Sequence, residues 1–259
     1  MNRIDTLFKA LRKKKQKAFI AFVTYGDPTL KKTESLALEF QKQGADILEL
    51  GFPFSDPIAD GPVIQRASLR ALKNKVTLKD LFRSVSRLRR RGLQIPVVLL
   101  SYYNPIFHFG ERRFIEEAQK SGIDGVVIPD LPVEEASPFL REGKRKNFHL
   151  IFLVAPTSDS SRRRKIASSA RGFIYYVSVT GTTGMRSHLP SELKRDVFSL
   201  KRITRVPVCV GFGVSTPEEA HRISRFADGV IVGSAIVRKL EEGTSPGSFV
   251  GRVAREVHR

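Results

Sequence analysis

Eight short apolar runs constrain the fold of this chain more than any other feature: residues 18–25, 45–52, 95–103, 124–130, 149–156, 172–179, 206–213 and 228–235. They are rich in Ile and Val, and most are continuous rather than alternating. That is the pattern of parallel strands covered on both faces. Helical patterns lie between them. In 77–92, Leu81, Val85 and Leu88 follow i, i+4, i+7 spacing, Thr77 and Asp80 form a capping pair, and Gly92 suits the stop. In 30–44, Leu36 stacks on Phe40 before Gly44. The stretches 111–122, 133–147 and 160–170, with the segments after 216 and 234, complete the alternation. The expected fold is α/β, a (β/α)8 TIM barrel, with an open doubly wound sheet as the alternative. No linker or low-complexity segment interrupts the pattern, so residues 1–259 are expected to form a single TIM-barrel domain. The basic, amphipathic stretch 2–14 predicts an extra N-terminal helix that covers the bottom of the barrel.

Apolar residues make up 41% of the 259, with 18 Phe, enough for a large core. The one cysteine, Cys209, sits within a strand-like run, so no disulfide forms within the chain and a reducing compartment is expected. The basic start does not resemble a signal peptide, and no apolar run is long enough to span a bilayer. The expectation is a cytoplasmic protein with no membrane partner. Net charge is +19. Its basic runs, 12–15, 89–91, 144–146, 162–165 and 201–202, are scattered over predicted helices. None interleaves with a set of aromatics as a nucleic-acid stacking platform requires, so no nucleic-acid partner is expected. They are solvated helix faces, or they attract an anionic substrate.

In such a barrel the site lies at the C-terminal strand ends. Phe22, Thr24, Glu49, Leu100, Tyr102, Val127, Asp130 and Phe152 fall at or near those ends, and Tyr175 lies on the sixth strand. A carboxylate inside an apolar run costs several kcal/mol unless it is paired or protonated. By strand alternation Ile47, Glu49 and Gly51 share one face and Leu48 and Leu50 the other. The leucines suit the helix layer, so Glu49 points into the barrel mouth as a candidate proton carrier or a paired structural carboxylate. Asp60 stands in a Pro/Gly-punctuated loop. There, ordinary turn chemistry and catalysis are both open.

Three loops are glycine-bearing. Gly211 and Gly213 follow the seventh strand, and Gly233 and Ser234 open a helix after the eighth, which is where this fold recurrently binds phosphate. The segment 179–193 is long enough for a lid, in which Thr183 is placed to meet a catalytic carboxylate and Gly184 to offer an N–H to phosphate. No metal-ligand spacing, P-loop, Rossmann fingerprint or Gly-x-Ser-x-Gly elbow is present. No lysine stands at a strand end, which argues against a Schiff-base aldolase and an indole-glycerol-phosphate synthase.

Together, ELGFPFSDPIADGPVIQ, SYYNPIF, DGVVIPDLPVEE, FIYYVSVTGTTG, VPVCVGFGVSTPE and DGVIVGSAIV closely resemble the tryptophan synthase alpha subunits, in order and spacing, from about residue 18 to 245. The resemblance implies retro-aldol cleavage of indole-3-glycerol phosphate to indole and glyceraldehyde 3-phosphate. It implies no cofactor in this chain, and an α2β2 heterotetramer whose β subunit carries pyridoxal phosphate and receives the indole. By motif match, Glu49 is the general acid/base and Asp60 sits at the indole N–H, while Tyr175 and Thr183 orient them. Phe22, Leu100, Val127 and Phe212 would line the indole pocket, and Gly184, Gly213, Gly233 and Ser234 would hold the phosphate. The alternative is a largely non-catalytic allosteric activator of the β subunit. Ser101, Thr182, Met185 and the high charge depart from the family's usual pattern.

Overall fold

The structure, a computed structural model, describes residues 1–177, 191–211 and 213–259. The strands are β1 (Ala18–Thr24), β2 (Ile47–Gly51), β3 (Val97–Leu100), β4 (Gly125–Val127), β5 (His149–Ile151), β6 (Leu153–Val154), β7 (Ile174–Val177), β8 (Val208–Gly211) and β9 (Gly229–Val232). All pair in parallel, in the order β5-β4-β3-β2-β1-β9-β8-β7-β6. The two ends of that order, β5 and β6, are one run of chain interrupted only at Phe152, so the sheet closes on itself as a barrel. The expected fifth strand is thus present as two segments. Phe152 turns into the outer core rather than the mouth.

The helices are α1 (Arg3–Lys14), α2 (Leu30–Lys42), α3 (Pro62–Lys73), α4 (Leu78–Arg90), α5 (Tyr103–Phe109), α6 (Glu111–Ser121), α7 (Ser137–Lys146), α8 (Ser160–Ser169), α9 (Ser191–Ile203), α10 (Pro217–Ser224), α11 (Ser234–Glu241) and α12 (Gly247–His258). The capping pair before α4 is formed in both directions: Asp80 N–H donates to Thr77 Oγ1 (3.2 Å) and Thr77 N–H to Asp80 Oδ2 (3.1 Å). Leu81, Phe82, Val85 and Leu88 form its buried face, and Gly92, at φ +94°, turns the chain out of the helix.

Strand alternation sorts the core into two layers. Phe19, Ala21, Val23, Leu48, Leu50, Leu99 and Val210 point outward to the helices. Ile20, Phe22, Ile47, Val98, Leu100, Val127, Tyr175, Cys209 and Ile231 fill the barrel. Ile4, Phe8 and Leu11 of α1 join the inner layer, with Phe8 6.1 Å from Phe173 between ring centroids, so α1 plugs the end where the strands begin. The opposite end is left for a site. Among the described residues no helix is long and apolar enough to cross a membrane.

Candidate active site at the barrel mouth

Glu49 is paired in register with Phe22 on β1 and Val98 on β3, and it is only 1% exposed. Neither of its carboxylate oxygens has a hydrogen-bond partner among the described residues. Burial, and secondarily the nearby charge of Asp60, pushes its pKa up to about 8. The group is therefore held mostly protonated at neutral pH, near the range in which a carboxyl can both give and take a proton.

Asp60 enters the same field from the loop between β2 and α3. Its pKa is raised to about 6, first by burial, while a hydrogen bond from Tyr102 opposes the shift. The Tyr102 hydroxyl donates to Asp60 Oδ2 (3.2 Å) and accepts the Ala59 N–H (2.9 Å). The Tyr102 ring stacks on Phe54 at 5.2 Å. A residue at the end of β3 thus holds both flanks of the β2–α3 loop. Thr24, at the end of β1, is buried and its hydroxyl has no partner among the described residues. Sequence reasoning placed Tyr102 and Thr24 at strand ends but gave them no role. The missing signal is spatial, since Tyr102 is 42 residues from its carboxylate partner.

Tyr175 is buried in the inner layer, and its phenol is pushed well above its usual pKa by burial and then by the charges of Glu49 and Asp60. All three groups share one electrostatic environment. A side chain at Gly211 would strike the Tyr175 hydroxyl at 2.5 Å, and one at Gly51 would strike the Phe22 ring at 2.5 Å. These two glycines let the aromatic side chains of adjacent strands lie across the barrel interior. Leu100 and Val127, paired in register with each other, and Phe22 supply an apolar wall to the same mouth. Asp130 is exposed and accepts the Tyr103 N–H at the start of α5, a structural use.

The glycine-bearing helix starts differ from one another. The N-terminus of α10 is closed by its own Glu219, which accepts the N–H groups of Ser215 (2.7 Å) and Thr216 (3.3 Å). The N-terminus of α11 has no side-chain cap among the described residues. Its first N–H groups, at Ser234 and Ala235, have no acceptor within the helix by geometry. This is the helix end available to an anion. Gly213, at φ +80°, turns the chain after β8 in a conformation that favours glycine. Ser101 is fully buried and donates to its neighbour's carbonyl, Tyr102 O (3.1 Å). Thr183, Gly184 and Phe212, with Thr182 and Met185, lie outside the described residues. Among the described residues no His/Cys/Asp/Glu group is arranged to hold a metal.

The family model described as tryptophan synthase alpha chain matches residues 8–256. The tryptophan synthase alpha chain of Geotalea daltonii is 50% identical over 242 residues, covering 93% of this chain and 91% of that one. That of Geobacter sulfurreducens is 49% identical over 245 residues, covering 95% and 92%. Among solved structures, tryptophan synthase subunit alpha from Legionella pneumophila superposes with a TM-score of 0.90 at 37% identity, covering 99% of this chain and 98% of that one. A chain of tryptophan synthase from M. tuberculosis, in its aminoacrylate-bound form, superposes with a TM-score of 0.90 at 31% identity over 100% of both chains.

Proposed function

This chain belongs to the tryptophan synthase alpha chain family, and on that premise we propose that Glu49 is the proton carrier of its reaction. The reaction cleaves indole-3-glycerol phosphate to indole and glyceraldehyde 3-phosphate, and the family works with a β subunit. The observation that carries the assignment is the Glu49 carboxyl itself: buried, without a hydrogen-bond partner among the described residues, and set beside Phe22 at the mouth.

Carbon–carbon cleavage here needs two proton movements. One proton is delivered to the indole carbon that bears the glycerol chain, which makes the ring a leaving group. One proton is taken from the hydroxyl on the carbon losing that bond, which becomes the aldehyde. The movements balance, so one group serves as acid and then as base. A carboxyl with a pKa of about 8 suits both halves. Asp60, which ionises at about 6, accepts the indole N–H and stabilises the positive charge that the protonated ring develops. Tyr175 orients the acid. Phe22, Leu100 and Val127 receive the apolar ring, and Gly213 with the open start of α11 at Gly233 and Ser234 takes the phosphate. Thr183, Gly184 and Phe212 keep the roles their motif implies. No step calls for a cofactor in this chain; pyridoxal phosphate belongs to the β subunit. The lone buried Cys209 suits a cytoplasmic setting.

The test is indole release from indole-3-glycerol phosphate by the isolated chain, with and without its cognate β subunit. Release by the parent that is abolished in Glu49→Gln supports the assignment, and retained cleavage in that variant would overturn it. No release by the parent in either condition would overturn it in favour of a non-catalytic activator.

A further inference from the structure

A groove of about 450 Å³ runs along the outer seam between α4 and α6, on the side of the barrel rather than at its mouth. On α4 it is lined by Lys79, Arg83, Arg87 and Arg90. These fall at i, i+4, i+8 and i+11, on one helical face that extends about 16 Å. From α6, Arg113 and Lys120 face the same groove. Its one acidic lining residue, Glu117, is already engaged by Lys120 at 3.2 Å. Arg83 and Arg87 reach Asp80 and Glu34. Among the described residues Lys79 and Arg90 make no ion pair, and Arg113 meets only the Phe109 ring, at 4.9 Å from its centroid.

The neighbouring Arg89 shows what α4 does with an arginine that it needs for structure. Arg89 points inward and binds Asp124 and the carbonyls of Leu93, Ile95 and Gly122. Arg90 does none of this. Like charges at i, i+4 along one face destabilise a helix by a few tenths of a kcal/mol per pair. Here a second helix adds two more cations across the groove. A concave surface of one sign focuses its field and concentrates counter-ions. The groove's volume is that of a metabolite site, and Phe82 and Phe109, packed edge to face at 5.6 Å, lend it an apolar floor.

We propose that the α4–α6 groove is a binding site for an oligophosphate of metabolite size, held by Lys79, Arg83, Arg90 and Arg113. Several closely spaced negative charges match a row of cations on one face and a pair on the other. Arginine forks pair with phosphate oxygens two at a time. The site is independent of the barrel mouth and of the reaction assigned to it.

The experiment titrates the whole chain with tripolyphosphate, and in parallel with ATP, by calorimetry without divalent cations. One-to-one saturable binding is expected, weakening at least about tenfold as ionic strength rises from ~0.01 M to ~0.15 M. Equal affinities would show that the phosphates alone are recognised. Tighter ATP binding would add the apolar floor. The double variant Arg90→Gln with Arg113→Gln, both residues being exposed, should lose at least about tenfold in affinity. A variant of equal net charge, Lys13→Gln with Lys14→Gln on the exposed face of α1, should change it less than about twofold. Absence of saturable binding, equal losses in the two variants, or displacement of the probe by glycerol 3-phosphate would each overturn the site.

Discussion

Asp124 and Glu49 are both carboxylates buried against strands of the same barrel, 4% and 1% exposed. They are treated in opposite ways. Asp124, at the end where the strands begin, is saturated: it binds Arg3 Nη1 (2.9 Å) and Arg89 Nη2 (3.0 Å) and accepts the Val97 N–H (2.9 Å). Glu49, at the end where the strands finish, has no hydrogen-bond partner among the described residues. A buried charge is tolerated only when it is paired, and an unpaired one goes neutral. The first arrangement holds β3, β4 and α1 together. The second stores an acid. With Glu49 as the proposed proton carrier, one end of the barrel is built for stability and the other gives up some stability for chemistry.

The sharpest way to break this comparison is to alter the two residues in parallel. Glu49→Gln should lower indole release by about a thousandfold or more while leaving the fold and product-analogue binding intact, checked by turnover and calorimetry. Asp124→Ala should do the reverse. It strands Arg89 without its carboxylate and should cost about 3–5 kcal/mol in denaturant unfolding, with near-parental turnover in the molecules that remain folded. Loss of activity without loss of stability at Asp124 would collapse the distinction.

The next prediction concerns pH. The folded-state pKa of Glu49, about 8, lies above the 4.5 of an exposed glutamate. The stability associated with its neutral form is fully present below pH 4.5 and is lost as pH rises through 8. Glu49→Gln carries no such loss. At about 1.4 kcal/mol per pKa unit, its stability relative to the parent should grow across that window, by roughly 5 kcal/mol, measured as the difference in unfolding free energy at pH 4 and pH 9. A difference that stays flat would mean that the carboxyl is solvated or paired after all.

The smallest expected effect belongs to Tyr102. Tyr102→Phe removes the hydroxyl that holds Asp60 and Ala59 but keeps the ring stacked on Phe54. We expect kcat/KM to fall by about tenfold, the scale of one net hydrogen bond. The acid limb of the rate profile should move above pH 6, because the bond that Asp60 loses was lowering its pKa. An unmoved limb with reduced rate would assign Tyr102 to loop packing alone.

Much of this asymmetry was legible in the sequence. Continuous apolar runs alternating with capped amphipathic segments suffice for the barrel, and strand parity alone puts Glu49 inside and Leu48 and Leu50 outside. The observed inner and outer layers follow that parity. What was not legible depends on contacts distant in the chain. α5, within Tyr103–Phe109, carries Pro105 and no side-chain cap, so its sequence looks like a loop. α12 contains Gly247 and Gly251, poor helix formers whose place is explained only by close packing: side chains there would run into Glu39 and Gln43 of the region around α2. The contrast between the self-capped α10 and the open α11 rests on where one glutamate oxygen lands.

The state of the Glu49 carboxyl, buried and without a hydrogen-bond partner among the described residues, is read most directly by titrating it in the folded chain. Glutamate labelled with carbon-13 at the carboxyl carbon, with the Glu49 resonance assigned by its loss in Glu49→Gln, reports its ionisation by NMR. A midpoint near 8 is expected. A midpoint near 4.5, the value of an exposed glutamate, would contradict it.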